Sequence, residues 1–186
     1  MAETISRDGP ARRAAPPRTA SLTLPHRYAA EGIVESSADA LFSRLDDHAR
    51  LSAHMEKPSW MMLGARMRLE LDAGRGRAVG ARIRLRGRVF GIPLFVEEEV
   101  VVRTPPTHKL WETLGSPRLL VIGPYRMGFE ITPEAPNRAR LRVFIEFALP
   151  ERAPSRWLGH LFGGAYARWC VERMLRDAAA RTSSRH

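Results

Sequence analysis

The sequence predicts an α+β protein: one strand, two short helices, six further strands and a long closing helix. Three observations carry this prediction. Residues 81–90 read Ala-Arg-Ile-Arg-Leu-Arg-Gly-Arg-Val-Phe, so arginine alternates with Ile83, Leu85 and Val89. A period of two belongs to a strand with one buried face and one wet face. Two pairs of strand-like segments can also be laid antiparallel with opposite charges facing each other on the wet side. Finally, Leu158, Leu161, Phe162, Ala165, Tyr166, Trp169, Cys170, Met174 and Ala178 recur at the spacing of an apolar helical stripe.

The elements follow in order. Tyr28 to Glu35 reads as the first strand. Ser36 precedes Asp39 by three, a capping-box-like start, and Ala40, Leu41, Phe42 and Leu45 have helical spacing. A second short helix, about His48 to Met55, ends before Pro58, because the residue before proline disfavours helical backbone. Strand-like segments cover residues 60–72, 78–90, 94–104, 108–114, 119–132 and 139–149. Glycines and prolines punctuate them, among them Gly74, Gly91, Pro93, Pro105, Gly115 and Pro133. Pro154 is well placed to open the long helix, and Gly163-Gly164 lets that helix bend or approach a strand closely.

The two hairpins define an inside and an outside. A turn centred on Gly91 and Ile92 sets Arg86 against Glu97 and Arg84 against Glu99. It also puts one acid, Glu98, on the apolar face opposite Leu85. In the last hairpin, pairing Phe129 with Val143 gathers Met127, Phe129, Ile131, Leu141, Val143, Ile145 and Phe147 on one face. The other face then pairs Glu130 with Arg142, Arg126 with Glu146, and Gly128 with Phe144. An aromatic ring lying across a strand glycine is a recognised way to cover it.

With 186 residues, 44% of them hydrophobic, the chain fits one domain, assigned to residues 27–181. Residues 1–26 form a proline- and arginine-containing tail without hydrophobic period, expected to be disordered, as are residues 182–186. The formal charge is +10, and the basic residues are 28 arginines with only two lysines, Lys57 and Lys109. Such a skew reflects base composition more readily than function. The charge still favours acidic partners and permits weak contact with an anionic membrane surface. Cys170 is the only cysteine, so no internal disulfide forms and a reducing compartment is expected. No apolar run is long enough to span a membrane, and residues 1–26 lack the apolar core of a secretory signal. The cytoplasm is the expected location.

The order of elements is the helix-grip layout, and the chain resembles the START-like (SRPBCC) superfamily, specifically its polyketide cyclase/dehydrase and lipid-transport group. The stretches that carry the resemblance are Ser36 to Phe42, Val79-Gly80, Thr104 to Trp111, and Gly128 to Pro133. The resemblance covers residue 28 to about residue 180. It implies a curved antiparallel sheet gripping the long helix, with a cavity between them. Members bind lipids, sterols, isoprenoid quinones or aromatic polyketides, and some catalyse cyclisation or hydrolysis. The superfamily supplies no universal catalytic residue to carry over.

Two residues stand out as candidate acid/base groups. Glu98, set among Val96, Val100 and Leu85, should have a raised pKa through desolvation. The alternatives are a bulge that turns it outward among Glu97 and Glu99, or a structural role as partner of a buried arginine. His54 ends the second short helix and can pair with Glu56; a surface histidine is the plainer reading. Trp60, Met62, Met67, Trp111, Tyr125, Met127, Phe129, Phe147, Phe162, Tyr166 and Trp169 either line a ligand cavity or fill a solid core. Which face of residues 108–114 points inward is open: Trp111, or Leu110 with Glu112.

No metal-ligand spacing, nucleophile elbow or phosphate-cradling glycine motif is present, so no cofactor is called for. Glutamates interleave the arginine stripe and stacking aromatics are lacking on that face, which argues against specific nucleic-acid binding. The leading expectation is binding of a hydrophobic small molecule such as a lipid, quinone or polyketide-like compound. The alternatives are a cyclase, dehydratase or hydrolase using Glu98 or His54, and an interaction module with a filled core.

Overall fold

The computed structural model describes residues 23–47 and 66–180. Its elements are β1 (His26–Val34), α1 (Ala38–Leu45), β2 (Arg66–Leu71), β3 (Arg82–Val89), β4 (Ile92–Thr104), β5 (His108–Arg118), β6 (Tyr125–Ala135), β7 (Arg138–Phe147) and α2 (Ala153–Ala180). The seven strands form one curved antiparallel sheet in the order β1-β7-β6-β5-β4-β3-β2. Helix α2 packs on β1 and β7, and α1 touches β6 and α2. The second short helix expected at 48–55, and residues 60–65 of the second expected strand, lie outside the described residues.

Local chemistry explains the boundaries. The cap of α1 is Ser37, one residue later than expected: its hydroxyl accepts the Ala40 N–H at 3.3 Å. Strand β6 begins at Tyr125 rather than at residue 119. Gly123-Pro124 interrupts the chain there, and the Gly123 N–H bonds the Ala148 carbonyl at 2.8 Å outside the sheet ladder.

The β3–β4 hairpin differs from the expected register by two residues. Its turn is the pair Phe90-Gly91, with φ of 47° and 79°, so Val89 faces Ile92. Two consecutive left-handed residues match the twist of the flanking strands, which selects this tight turn over a wider one. Arg84 therefore faces Glu97, Arg82 faces Glu99, and Glu98 faces Ile83 rather than Leu85. A shift of two keeps every side chain on its own face, so Glu98 still points inward. The outer face is laced as expected in kind: Arg84 to Glu97 at 3.0 Å, Arg86 to Glu70 at 3.6 Å.

The β6–β7 register is the expected one from Tyr125 to Pro133, before a one-residue shift at Ala135 next to the turn. Phe129 faces Val143, Arg142 meets Glu130 at 2.9 Å, and Arg126 reaches Glu146 at 3.7 Å. The Phe144 ring covers Gly128, where an added Cβ would lie 2.9 Å from Cζ.

The stripe expected on α2 holds only in its second half. Cys170, Met174 and Ala178 are buried, but in the first half the buried positions are Gly159, Gly163 and Ala167. Leu161 and Phe162 are 54% and 52% exposed. The two glycines cause this difference, because they let the helix backbone press against the segment that follows β5 and β7. An added Cβ at Gly163 would lie 2.9 Å from the Val121 carbonyl oxygen, and one at Gly159 would lie 2.7 Å from Pro150 Cδ. The neighbouring Gly164 meets nothing within 4 Å. Adjacent Gly→Ala substitutions should therefore have opposite signs in urea denaturation. Gly164→Ala should raise stability by about 0.5–1 kcal/mol, since alanine loses less backbone entropy in a helix. Gly163→Ala should lower it by about 1–3 kcal/mol through overpacking against rigid backbone. Equal effects would refute the close approach.

Candidate functional site

The inner face of β4 presents Leu94, Val96, Glu98 and Val100, all buried. Glu98 is the one charged group in this row and is 5% exposed. Across the sheet, the Tyr125 hydroxyl at the start of β6 donates a hydrogen bond to Glu98 Oε1. The Trp111 indole on β5 also acts on the carboxylate, favouring its charged form. Among the described residues Glu98 has no cation at salt-bridge distance, and burial dominates its titration, raising its pKa to about 7. The bond from Tyr125, the Trp111 indole and the charge of Lys109 oppose that rise without cancelling it. The Tyr125 hydroxyl is itself pushed well up, first by burial and then by the negative charge of Glu98.

Helix α2 closes the cluster from above. Tyr166 and Cys170, one helical turn apart, act on each other's titration, and burial pushes the Cys170 thiol up to about 12. Both Tyr166 and Cys170 act electrostatically on Tyr125. Glu98, Tyr125, Trp111, Tyr166 and Cys170 thus form a polar seam between sheet and helix inside an apolar core. Cys170 is a small, inert core thiol there, since only a thiolate is reactive.

A second polar group was not foreseen. Lys109 on β5 is fully buried and its ammonium has three oxygen acceptors: Asp46 Oδ1 at 2.7 Å, the Asp46 carbonyl at 3.0 Å and the Gly76 carbonyl at 2.6 Å. All three N–H donors are matched. Arg103 also grips Asp46, at 2.8 Å, and lies over the Phe42 ring. Burial raises the Asp46 carboxyl, but bonds from Arg103 and Lys109 outweigh this and hold it below its ordinary value. Burial pushes the Lys109 ammonium below its ordinary value despite the bond from Asp46. This cluster ties the end of α1 to the β2–β3 turn and to the inner sheet.

The residues expected to line a cavity separate into three groups. Met67, Trp111, Tyr125, Phe129 and Phe147 are buried on the inner face, and Met127, Tyr166 and Trp169 are half-buried against the same core. Trp111 therefore faces inward, while Glu112 pairs outward with Arg126 at 2.9 Å. Phe129 is packed edge-on by Phe42 at 5.6 Å and by Trp111 at 6.4 Å, so these rings fill space against one another. Phe162 corrects the expectation: it points to solvent because Gly159 and Gly163 occupy the inward face of α2. His54, Trp60 and Met62 lie outside the described residues. His160 is exposed. Among the described residues no group of His, Cys, Asp and Glu is placed to hold a metal ion.

A groove of about 330 Å³ lies elsewhere, at the end of the sheet where the β3–β4 hairpin meets the start of α2. It contains none of the seam residues.

No family model and no curated protein matches the chain. Solved structures do. Norcoclaurine synthase from Thalictrum flavum superposes with a TM-score of 0.59 at 16% identity, over 87% of this chain and 94% of that one. That enzyme is also solved with dopamine and hydroxybenzaldehyde. The Zhui aromatase/cyclase from Streptomyces sp. R1128 gives 0.58 at 14% identity, over 84% and 95%. Ara h 8.0201 gives 0.53 at 12% identity, over 83% and 98%. The chain has the helix-grip fold of START-like proteins, the fold its sequence resemblance implies.

Proposed function

We propose that this protein binds a hydrophobic small molecule between the inner sheet face and α2, with the Glu98–Tyr125 pair holding one polar group of that molecule. The observation that carries this reading is a buried carboxylate that accepts a hydrogen bond from a tyrosine and, among the described residues, has no cation at salt-bridge distance. Burying such a group without a counter-charge costs stability, and a fold retains that cost most readily where the group serves a ligand. Enclosure of apolar ligand surface would supply roughly 25 cal/mol per Å². The ligand class we favour is a lipid, quinone or polyketide-like compound bearing a hydroxyl or carbonyl. Two proteins of similar fold are a norcoclaurine synthase solved in complex with dopamine and hydroxybenzaldehyde and an aromatase/cyclase, and both accord with this class.

A second reading has one specific support. A carboxyl titrating near 7 is poised to give and take a proton at neutral pH, the property a general acid/base requires. In that case Glu98 would transfer the proton in a cyclisation, dehydration or hydrolysis, with Tyr125 orienting it. Native mass spectrometry of freshly purified protein, with solvent extraction of any co-purifying compound, tests the binding reading. A Glu98→Gln comparison separates the two. A binder loses affinity modestly, whereas an enzyme keeps its ligand and loses turnover.

A further inference from the structure

The end of the molecule that carries the groove has three features that the core site does not use. The first is an exposed apolar tip. Phe90 is 83% exposed and sits at φ +47°, and Ile92 beside it is 51% exposed. A phenylalanine in the left-handed region is strained, because its Cβ crowds the backbone, and turns of this kind prefer asparagine or glycine. Exposure of the ring gives nothing back to the fold. The second feature is on α2, where Trp157 is 66% exposed and Leu161, one turn later, is 54% exposed. Two elements therefore leave large apolar side chains in water.

The third feature is charge. Over the outer sheet face the arginines meet carboxylates: Arg82, Arg84, Arg126, Arg140 and Arg142 each do so. At this end Arg88, Arg118 and Arg152 are exposed and, among the described residues, make no ion pair. Glu151 is the acid present. The groove is lined by Ile92, Ser116, Arg118, Glu151, Arg152 and Ser155, so hairpin and helix start share one surface. We infer that this surface docks onto an anionic lipid bilayer. Phe90, Ile92 and Trp157 enter the headgroup region, and Arg88, Arg118 and Arg152 meet lipid phosphates. Exposed apolar side chains near arginines that make no ion pair among the described residues suit that interface, where apolar insertion and attraction to anionic headgroups add. A solvated protein surface gains nothing from either.

The test uses the full chain and co-sedimentation with vesicles of phosphatidylcholine, alone and mixed with phosphatidylglycerol, at low and high salt. Binding should require phosphatidylglycerol and fall with salt. Phe90→Asn suits the left-handed turn, so its melting temperature should equal or exceed that of the parent. Its partitioning should nonetheless drop about tenfold. Trp157→Gln should act in the same direction. Sedimentation velocity on the same proteins reports self-association. Absence of vesicle binding would overturn the inference. So would binding that is indifferent to lipid charge, or binding that survives both substitutions and thus belongs to another part of the chain. A dimer that Phe90→Asn dissociates without any vesicle binding would show the surface to be a contact between copies instead.

Discussion

Asp46→Ala should lower the stability of this protein by about 3–5 kcal/mol, the usual cost of removing one partner from a buried charge pair. The reason is the geometry around Lys109. Its ammonium is fully buried and loses its nearest anionic acceptor, at 2.7 Å, while two backbone carbonyls alone remain. A double variant, Asp46→Ala with Lys109→Met, should recover much of the loss, because no buried charge is then left unpaired. Lys109→Arg should not be tolerated like a surface exchange. Three oxygens converge on a point, which suits a compact ammonium and not a planar fork. The depressed Asp46 pKa adds a pH signature. Its contribution is present above the unfolded value and is lost as pH falls through the lower folded value. Urea denaturation of the single and double variants measures this, and a loss under about 1 kcal/mol for Asp46→Ala would contradict the pairing.

Glu98 should make the protein less stable at pH 8 than at pH 5.5. Its folded pKa, about 7, lies above the ordinary 4.5, so the folded state holds a proton that the unfolded chain has released. The neutral form's advantage is fully present below about pH 4.5 and disappears as pH rises to about 7. At 1.36 kcal/mol per unit, the full swing is of order 3 kcal/mol. Glu98→Gln keeps the shape without the charge, so it should flatten this slope and be more stable than the parent at pH 8. The Asp46 effect belongs to a separate, more acidic window and survives in Glu98→Gln. Urea midpoints across pH 5–8 for both proteins decide the point: parallel curves would mean that Glu98 does not titrate in this range.

The sheet was legible because its signals are local and redundant. Alternation from Arg82 to Val89 and the Gly128–Phe144 match each require only neighbouring residues and a turn. The inward placement of Glu98 survived a register error, since a two-residue shift cannot change its face. The turn itself was harder to read, because Phe90 occupies a left-handed position that its residue type disfavours. Helix α2 was misread in its first half for a related reason. Hydrophobic counting treats Leu161 and Phe162 as core, whereas the close approach that Gly163 was expected to permit puts the glycine face inward instead. The partner of Glu98 lies 27 residues away, and Lys109 is 63 residues from Asp46, so neither pairing leaves a local pattern. Lys109 also hid the face of β5, because a charge among Trp111 and Thr113 breaks the apolar alternation. One signal was available: Lys109 is one of only two lysines in an arginine-rich chain, and such a rare exchange can mark a place where a guanidinium does not fit.

We propose above all that the seam of Glu98 and Tyr125 holds a ligand. Native mass spectrometry on freshly purified protein, beside Glu98→Gln and Tyr125→Phe, addresses it most directly. The parent should carry a discrete added mass, extractable into organic solvent as an apolar compound with one polar group, and its binding should be weaker by about tenfold in both variants. A parent protein with no added mass, which also takes up no lipid, quinone or aromatic polyketide offered in excess, would contradict it. An adduct of equal strength in all three proteins would contradict it as well.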